Sequence, residues 1–343
     1  MKAAILVKNK FPLLVTDIDL PSNLDFGQIL VKILYSSICG AQINEIDCIK
    51  GKDKFLPHLL GHEGSGIVLD IGKGVKNVKV GDHVVLHWRK GEGIQSEPPK
   101  YLWKGKTVNA GWVTTFNDQA IVSENRLTKI PKNFNLRLAP LFGCAITTAV
   151  GVVNNDAQIK IGQSVIIFGL GGLGLSIAKI SELVSANPII GVDVNTKKIK
   201  IAKKNRLRNI FLNDKKNFKN KLKKLLNNGK ADIVIDTTGN TKVIEQCYEL
   251  TESNGKTILC GVPKKSKNIS IHTLPLHFNK VLKGSHGGDS NPSEDIPRFI
   301  RLMKDKKINI KNLITHQFKL EEINKAIKIV RKGIAGRVLI DMR

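Results

Sequence analysis

Hydrophobic and polar positions follow different patterns on the two sides of about residue 160. In residues 1–145, short apolar runs such as QILVKILY (28–35), GIVLDIG (66–72) and DHVVLHW (82–88) are separated by glycine turns. Short runs rich in β-branched residues with turn signals between them are typical of β structure. We therefore predict a β-rich first domain whose first strand lies in MKAAILV.

Beyond residue 160, strand-like and helix-like segments alternate. Continuous apolar strands are predicted in SVIIF (164–168), PIIGVD (188–193), ADIVID (231–236) and KTILCGV (256–262), with helical segments between them. Strands joined by helix-length crossovers form a parallel sheet with helices on both faces. After about residue 285 the pattern reads helix, strand, helix, strand. This tail is expected to complete the first domain or to cap the second.

A glycine-rich turn follows the first of these strands, in the sequence Gly169-Leu-Gly-Gly-Leu-Gly174. Gly169 permits the tight turn, Gly171 lets the backbone approach a pyrophosphate, and Gly174 lets the helix pack close to the sheet. The helix N-terminus offers free N–H groups to the anion. The strand before the turn and the helix after it support a dinucleotide site.

Asp193 closes the second strand of this region, about 20 residues after the glycine turn. A carboxylate there accepts hydrogen bonds from the adenosine ribose and repels a 2′-phosphate, which favours NAD over NADP. Lys197 and Lys198 follow, and a cation beside the ribose could shelter a 2′-phosphate. The choice of NAD is therefore an expectation.

Three possible metal ligands stand in separate turns of the first region: Cys39 in SSICGAQINE, His62 in LLGHEGSG and Cys144 in LFGCAITTA. Two thiolates and an imidazole suit zinc, and three ligands leave a fourth position open for catalysis. Their spacing does not define a zinc site. Taken singly, each is more often a buried thiol or a core histidine.

A resemblance adds to this. The segments LLGHEGSGIVLDIGKGVKNVKVGDHVV, FGCAITTAVGVV, IKIGQSVIIFGLGGLGLSIAK and LITHQFKLEEINKAI, in that order, resemble the zinc-containing medium-chain alcohol dehydrogenase family over nearly the whole chain. The resemblance implies an α/β protein with a GroES-like β-rich catalytic domain at 1–148, to which 287–343 returns, and a Rossmann NAD-binding domain at 149–286. It implies an oxidoreductase that transfers a hydride between an alcohol and NAD.

The family pattern also assigns residues. It implies that Cys39, His62 and Cys144 hold a catalytic zinc ion, with Glu63 beside the metal or as an alternate ligand. It places Thr148 next to the nicotinamide. The remaining positions matched to cofactor binding are Gly172, Leu173, Lys198, Val262 and Arg337, of which Leu173 lies beside the nicotinamide and Arg337 reaches the pyrophosphate.

Many members of this family hold a second, structural zinc in a lobe with four closely spaced cysteines. The corresponding stretch here, residues 87–112, contains no cysteine. We therefore predict one catalytic zinc per chain, no structural zinc, and a lobe that persists as a loop tied by its own prolines and aromatic residues.

The chain departs from the family along the usual proton path. The family places Ser or Thr two residues after the first ligand and often a His three further on, where this chain has Ala41 and Asn44. Neither side chain is a useful base. Gln42 replaces a usual Asp, which puts the hydrogen bonds near His62 in doubt. The candidates for another route are Glu45, His87 and Thr148, or else a substrate hydroxyl or ordered water.

Trp88, Trp112 and Phe116 fall near positions that line the substrate pocket in the family, and His87 adjoins Trp88. An aromatic core is an equal alternative for the rings. A histidine beside the tryptophan makes a pocket less apolar than one for simple alkanols. The expected substrate is a small alcohol, and the polyhydroxylated polyol, cyclitol or sugar-derivative class is favoured. The competing hypothesis is an NAD-binding member of the family without catalytic activity, in a structural or regulatory role.

Composition narrows the partners. The net charge of +26 could attract anions, but lysine-rich helix faces such as KKIKIAKKNR (197–206) explain it, and aromatic residues are only 5%, so no nucleic acid partner is expected. No apolar run reaches the roughly 18 residues of a membrane span. Five scattered cysteines indicate a reducing compartment, and we expect a cytoplasmic homodimer or homotetramer that pairs through residues 269–284.

Overall fold

The computed structural model describes residues 1–49, 51–213, 218–306 and 308–343. The chain forms two compact units. The first comprises Met1–Thr147, Asn291–Lys332 and Arg337–Arg343, and the second comprises Thr148–Ser290 and Gly333–Gly336.

The strands and helices are numbered in chain order. Up to residue 151 they are β1 (Lys2–Leu6), β2 (Leu14–Asp17), β3 (Gln28–Ile38), α1 (Gly40–Ile46), β4 (His58–Leu59), β5 (Glu63–Ile71), β6 (His83–His87), β7 (Tyr101–Trp103), β8 (Lys106–Val108), β9 (Gln119–Ser123), β10 (Leu127–Lys129) and α2 (Ala145–Gly151). The following elements are β11 (Val165–Phe168), α3 (Gly172–Leu183), β12 (Ile189–Asp193), α4 (Thr196–Lys204), β13 (Asn209–Leu212), α5 (Phe218–Lys223), β14 (Ala231–Asp236), α6 (Thr241–Glu249), β15 (Thr251–Leu259) and β16 (Val281–Gly284). The tail contains α7 (Pro292–Lys306), β17 (Ile314–Lys319), α8 (Ile323–Arg331) and β18 (Arg337–Asp341).

The first unit is built around the long strand β3. The main sheet has the order β10-β6-β5-β3-β18-β17, and β9 pairs with the first residues of β3. Apolar side chains of these strands form one core, which includes Ile29, Val31, Ile33, Val84 and Leu86, all of them almost completely buried. A smaller sheet has the order β2-β1-β4, and β7 and β8 form a separate hairpin.

The second unit contains one parallel sheet with the strand order β13-β12-β11-β14-β15-β16. Counted from β11, this is the order 3-2-1-4-5-6 of a doubly wound dinucleotide-binding fold. The side chains of β11 are buried along its whole length, as expected for a central parallel strand covered on both faces. The predicted α/β class, with a β-rich unit and a parallel-sheet unit, is confirmed.

Three local features were not anticipated. The sequence pattern includes NIFL (209–212) in a lysine-rich helical region because charge dominates around it, whereas the structure forms strand β13 there. Helix α1 lies inside the region read as β structure. Residues 87–112, expected as a loop, contain the hairpin of β7 and β8. Of the helices in the described part of the chain, none combines the length and apolar character that a membrane crossing requires.

Candidate metal centre and cofactor turn

Cys39 lies where the central strand β3 ends and α1 begins. Its backbone N–H donates to Oε1 of Gln42 in the first turn of α1, at 3.2 Å. Near its end, β3 is paired with β5 and with β18. The thiol is therefore held at the end of the best-supported strand of the first unit.

His62 follows a glycine that the local packing requires. Gly61 has a φ of +92°, and a Cβ at this position would collide with Thr115 and with the backbone nitrogen of Phe116. The amides of these two residues donate to the carbonyl of Leu60 at 3.1 and 3.0 Å. The chain is thus fixed immediately before His62, which precedes the start of β5.

Cys144 follows a short 3-10 turn over Ala139–Gly143. A Cβ on Gly143 would collide with the carbonyl of Leu86 and with Glu63. Only glycine therefore lets this turn pack so closely against β5 and β6. That close packing delivers the second thiol to the same place as the first.

The structure brings Cys39, His62 and Cys144 together. The two Sγ atoms are 3.9 Å apart, and the three ligand atoms all lie within 4.8 Å of one another. Nδ1 of His62 contacts Nε2 of Gln42, whereas Nε2 of His62 is buried without a hydrogen-bond partner. Two thiols and one unpartnered imidazole nitrogen are a donor set that fits zinc. Their role as zinc ligands stays a prediction.

The two thiols titrate as a pair. The contact with Cys144, and then with His62, holds the pKa of Cys39 well below its usual value, against the effect of burial. The same contact, with burial, raises the pKa of Cys144 well above its usual value. Burial, the largest influence on His62, favours its neutral form, but Cys39 outweighs it and raises the pKa of this histidine. Cys39 is therefore the thiol that ionises first.

Glu63 and Arg337 form a buried ion pair beside this group. Burial raises the pKa of Glu63 to about 7, although the guanidinium of Arg337 acts in the opposite direction. Sequence reasoning had assigned Arg337 to a cofactor pyrophosphate, and that contact stays a prediction. What it missed is the ion pair, for which no local signal exists because the partners are 274 positions apart.

Two predicted pocket residues do not reach an accessible surface. His87 is fully buried, with Nδ1 2.8 Å from the carbonyl of Arg89 and Nε2 2.9 Å from Oγ1 of Thr128. Burial lowers the pKa of His87 to about 4, so both its contacts and its charge state disfavour a proton-relay role. Phe116 is also fully buried. Both side chains are enclosed in the core, and their place in a substrate pocket stays a prediction.

Trp88 is the predicted pocket residue that does lie next to Cys39, His62 and Cys144, which are called the metal group from here on. Its ring centroid is 6.5 Å from that of His62, and the side chain is partly exposed. On α1, Ala41 and Glu45 are exposed and Asn44 is half-buried. The aromatic neighbour of the metal group is therefore in place, whereas the usual proton-path positions carry no group that could take a proton.

The segment 87–112 is fastened by residues that follow β9. Arg126 donates to the carbonyl of Trp88 and, at 3.1 Å, to Oε1 of Gln95, and its guanidinium lies 4.9 Å from the ring centroid of Trp112. Within the hairpin, the hydroxyl of Tyr101 accepts from the amide of Ile121. Aromatic residues help to tie the segment, as predicted, but the arginine clasp was not foreseen.

The glycine turn of the second unit has the features that a dinucleotide needs. Gly169 has a φ of +91°, and a Cβ on Gly174 would collide with the carbonyl of Gly169. Next to Gly171, by contrast, the nearest neighbour is the ammonium of Lys198, so the backbone there is open to an incoming group. These observations fit a pyrophosphate at the N-terminus of α3.

Asp193 is buried at the end of β12 and holds the turn from behind. Its Oδ2 accepts from the amide of Leu170 at 2.7 Å and its Oδ1 from the amide of Asn195 at 2.8 Å. Each carboxylate oxygen has a further lone pair that could accept from a ribose hydroxyl. The other predicted cofactor positions in this unit are Thr148, buried in α2; Gly172 and Leu173, half-buried in the first turn of α3; and Val262, exposed after β15.

Comparison with known proteins assigns this combination to a family. The model of the alcohol dehydrogenase GroES-like domain matches residues 25–132, and that of the zinc-binding dehydrogenase domain matches residues 169–305. Alcohol dehydrogenase 2 of Oryza sativa subsp. japonica is 29% identical over 370 residues, covering 99% of this chain and 97% of its own length. S-(hydroxymethyl)glutathione dehydrogenase of Paracoccus denitrificans is 28% identical over 374 residues, covering 99% of both chains.

Solved structures show the same fold. Benzyl alcohol dehydrogenase from Acinetobacter calcoaceticus superimposes with a TM-score of 0.89 at 24% identity, and covers 100% of this chain and 99% of its own. 2R,3R-butanediol dehydrogenase from Bacillus subtilis has a TM-score of 0.80 at 21% identity, with 100% and 99% covered. The chain belongs to the zinc-containing medium-chain alcohol dehydrogenase family, and its class is that of the oxidoreductases.

Proposed function

We propose that this protein is a zinc- and NAD-dependent dehydrogenase that transfers a hydride between a small alcohol and the nicotinamide. The observation that carries the proposal is the convergence of Cys39, His62 and Cys144, with Nε2 of the histidine buried and unpartnered. Three protein ligands leave one position open, which is the arrangement of catalytic zinc. We propose one zinc per chain and no structural zinc, because residues 87–112 contain no cysteine.

Different residues of this chain would bind the metal, balance its surroundings in charge and position the cofactor. Zinc held by the three ligands would supply Lewis-acid chemistry, lowering the pKa of an alcohol hydroxyl and polarising a carbonyl oxygen. Arg337 places a positive charge beside Glu63 and the two thiols, which balances the negative charge buried there. The glycine turn would position NAD, whose nicotinamide carries the hydride. We also propose that residues 149–286 act as the NAD-binding domain, and residues 1–148 with 287–343 as the catalytic domain.

The hydroxyl proton would leave by a route that differs from the usual one in the family. Ala41 and Asn44 cannot accept it, and His87 is enclosed by its two hydrogen bonds. We propose that Glu45 or Thr148, a second hydroxyl of the substrate or an ordered water takes this role.

The position of Asp193 supports NAD rather than NADP. Its buried carboxylate would repel a 2′-phosphate on the adenosine ribose. The ammonium of Lys198 lies next to Gly171, where it would compensate the charge of the pyrophosphate.

For the substrate we propose an oxygen-rich alcohol, of the polyol, cyclitol or sugar-derivative class. The argument from His87 no longer applies, since that side chain is buried. The proposed substrate class is supported instead by Trp88 and Arg89. The guanidinium of Arg89 lies 5.9 Å from the indole of Trp88, and this cation makes the adjacent side of the metal group polar.

We further propose a homodimer or homotetramer that pairs at the sheet edge formed by β16. Strand β16 is the last in its sheet, and Leu274, Phe278 and Val281 in and before it are exposed by 55%, 65% and 37%. Five free cysteines support a reducing compartment such as the cytoplasm.

The test combines metal analysis with a screen for reduction of NAD⁺ and NADP⁺ over simple alcohols, polyols and sugar derivatives. About one zinc per chain is expected, with NADH formed fastest from an oxygen-rich alcohol. Zinc-replete protein that binds NAD but turns over no alcohol would support a non-catalytic role instead. Two zinc ions per chain would contradict the argument from residues 87–112, and ethanol outperforming every polyol would contradict the substrate class.

A further inference from the structure

We propose that Gln42 is a positioning residue for the metal whose side-chain amide rotates by 180° when zinc binds, and that it makes the site weaker than a carboxylate at this position would. The inference rests on the proposed zinc site and concerns how the chain's own hydrogen bonds prepare it. The observation that supports it is that Gln42 contacts two of the candidate metal ligands, Cys39 and His62.

As long as His62 holds no metal, the backbone sets the orientation of the amide. Gln42 is almost completely buried, with 1% of its surface exposed. The backbone N–H of Cys39 can only donate, so Oε1 of Gln42 must face it, as it does at 3.2 Å. This leaves Nε2 of Gln42, which also can only donate, in contact with Nδ1 of His62.

Metal binding reverses what His62 needs. Nε2 of His62 is the nitrogen without a partner and the one available to zinc. A neutral imidazole that gives the Nε2 lone pair to a metal carries its proton on Nδ1 and becomes a donor there. Nδ1–H would then meet the NH2 group of Gln42, which is a contact between two donors.

An amide cannot satisfy both neighbours in the metal-bound state. A metal-bound histidine almost always donates its other ring N–H to an oxygen, which favours rotation of the amide by 180° so that Oε1 faces Nδ1–H of His62. The same rotation turns the NH2 group towards the N–H of Cys39. One buried donor is therefore left without an acceptor in either orientation, and such groups are costly. A carboxylate of the same length offers one oxygen to each donor, so Gln42→Glu should strengthen zinc binding.

The test is a series of zinc dissociation constants, measured at one pH by competition with a chromophoric chelator. Gln42→Glu should bind zinc on the order of 10-fold to 100-fold more tightly than the wild type, the range by which partners of metal ligands change affinity. Gln42→Met, similar in size but without hydrogen bonds, should bind more weakly than the wild type. Asn44→Asp adds the same charge to α1 without reaching either ligand residue, and should stay within about 3-fold of the wild type, as expected for a screened charge.

Two results would overturn this inference without affecting the proposed function. The first is a Gln42→Glu variant that binds zinc no more tightly than a zinc-binding wild type. The second is an Asn44→Asp variant whose zinc affinity rises as much as that of Gln42→Glu. Failure of both wild type and Gln42→Glu to bind zinc would contradict the proposed function as well. Far-UV circular dichroism and urea unfolding show whether each variant is folded. Hydrogen exchange gives an independent readout: zinc should accelerate exchange of the Cys39 amide in the wild type but not in Gln42→Glu.

Discussion

The guanidinium of Arg337, at the start of β18, is bound to the carboxylate of Glu63, at the start of β5, and both side chains are buried. The two strands are separated in their sheet by β3, which carries Cys39 at its end. The tail of the chain thus supplies the cation that compensates the buried charges next to the candidate metal ligands.

Replacing Arg337 by Met should leave Glu63 buried without a counter-charge. Loss of one partner of a buried ion pair costs about 3–5 kcal/mol, and we expect a decrease of that size in the free energy of unfolding. Urea unfolding of zinc-loaded protein measures it. The double variant Arg337→Met with Glu63→Gln should recover a large part of the loss, since no isolated charge remains. Equal destabilisation of single and double variants would show that the charge is not the cause.

Gly174→Ala should weaken cofactor binding while leaving the three candidate metal ligands in place. A Cβ at this position collides with the carbonyl of Gly169, so α3 must move away from the turn. We expect at least a 10-fold rise in the NADH dissociation constant, equivalent to about 1.4 kcal/mol, with zinc content unchanged. Gly111→Ala is the matched control, because the nearest atom to a Cβ there lies at 3.7 Å, an ordinary van der Waals contact. Equal NADH binding by both variants would contradict the role of the turn.

Much of this arrangement could be predicted from the sequence. The strand before Gly169 and the helix that contains Gly174 carry local signals, so this strand, turn and helix could be located from the sequence. The role of the turn in cofactor binding stays a prediction. Cys39, His62 and Cys144 could be grouped only through family resemblance, because their spacing depends on how β3 and β5 pair. The ion pair of Arg337 could not be foreseen, since it depends on side-chain packing. The resemblance placed Gln42 near His62, but not the contact that its amide makes there. The burial of His87 could not be predicted, because the pattern along a short strand does not show which face is the core.

Arg126→Met should loosen the segment 87–112 without changing the metal content. The guanidinium binds the carbonyl of Trp88 and Oε1 of Gln95, and no zinc is expected to fasten this segment. Loss of its hydrogen bonds should cost about 1–3 kcal/mol. Limited proteolysis should then cut within 87–112 faster than in the wild type. Arg298→Met, which removes a more exposed arginine, is the control, and equal cleavage of both variants would contradict the clasp.

The ion pair of Asp82 with Lys129, 3.0 Å apart, should make stability depend on pH. Burial, the largest influence, opposes ionisation, but Lys129 and the amide of Lys79 outweigh it and lower the pKa of Asp82. A lowered folded-state pKa gives stability that is present above the unfolded value of about 3.9 and is lost as the pH falls through the folded value. Asp82→Asn should therefore be less stable than the wild type at pH 7, by on the order of 1 kcal/mol. The difference in stability between the two proteins should begin to shrink as the pH falls below about 4. A difference that stays constant from pH 3 to 7 would refute the assignment.

Restoring the usual proton path should change the kinetics in a way that other variants do not. Ala41→Ser with Asn44→His would place a hydroxyl and an imidazole at the two positions where this chain has no base. If loss of the hydroxyl proton limits turnover, the profile of kcat against pH should gain an inflection near the histidine pKa of about 6.5. The double variant Ala41→Ser with Asn44→Gln carries the hydroxyl without the imidazole and should lack it. An unchanged profile in an active double variant would show that proton release never limits this enzyme, so that Ala41 and Asn44 cost it nothing.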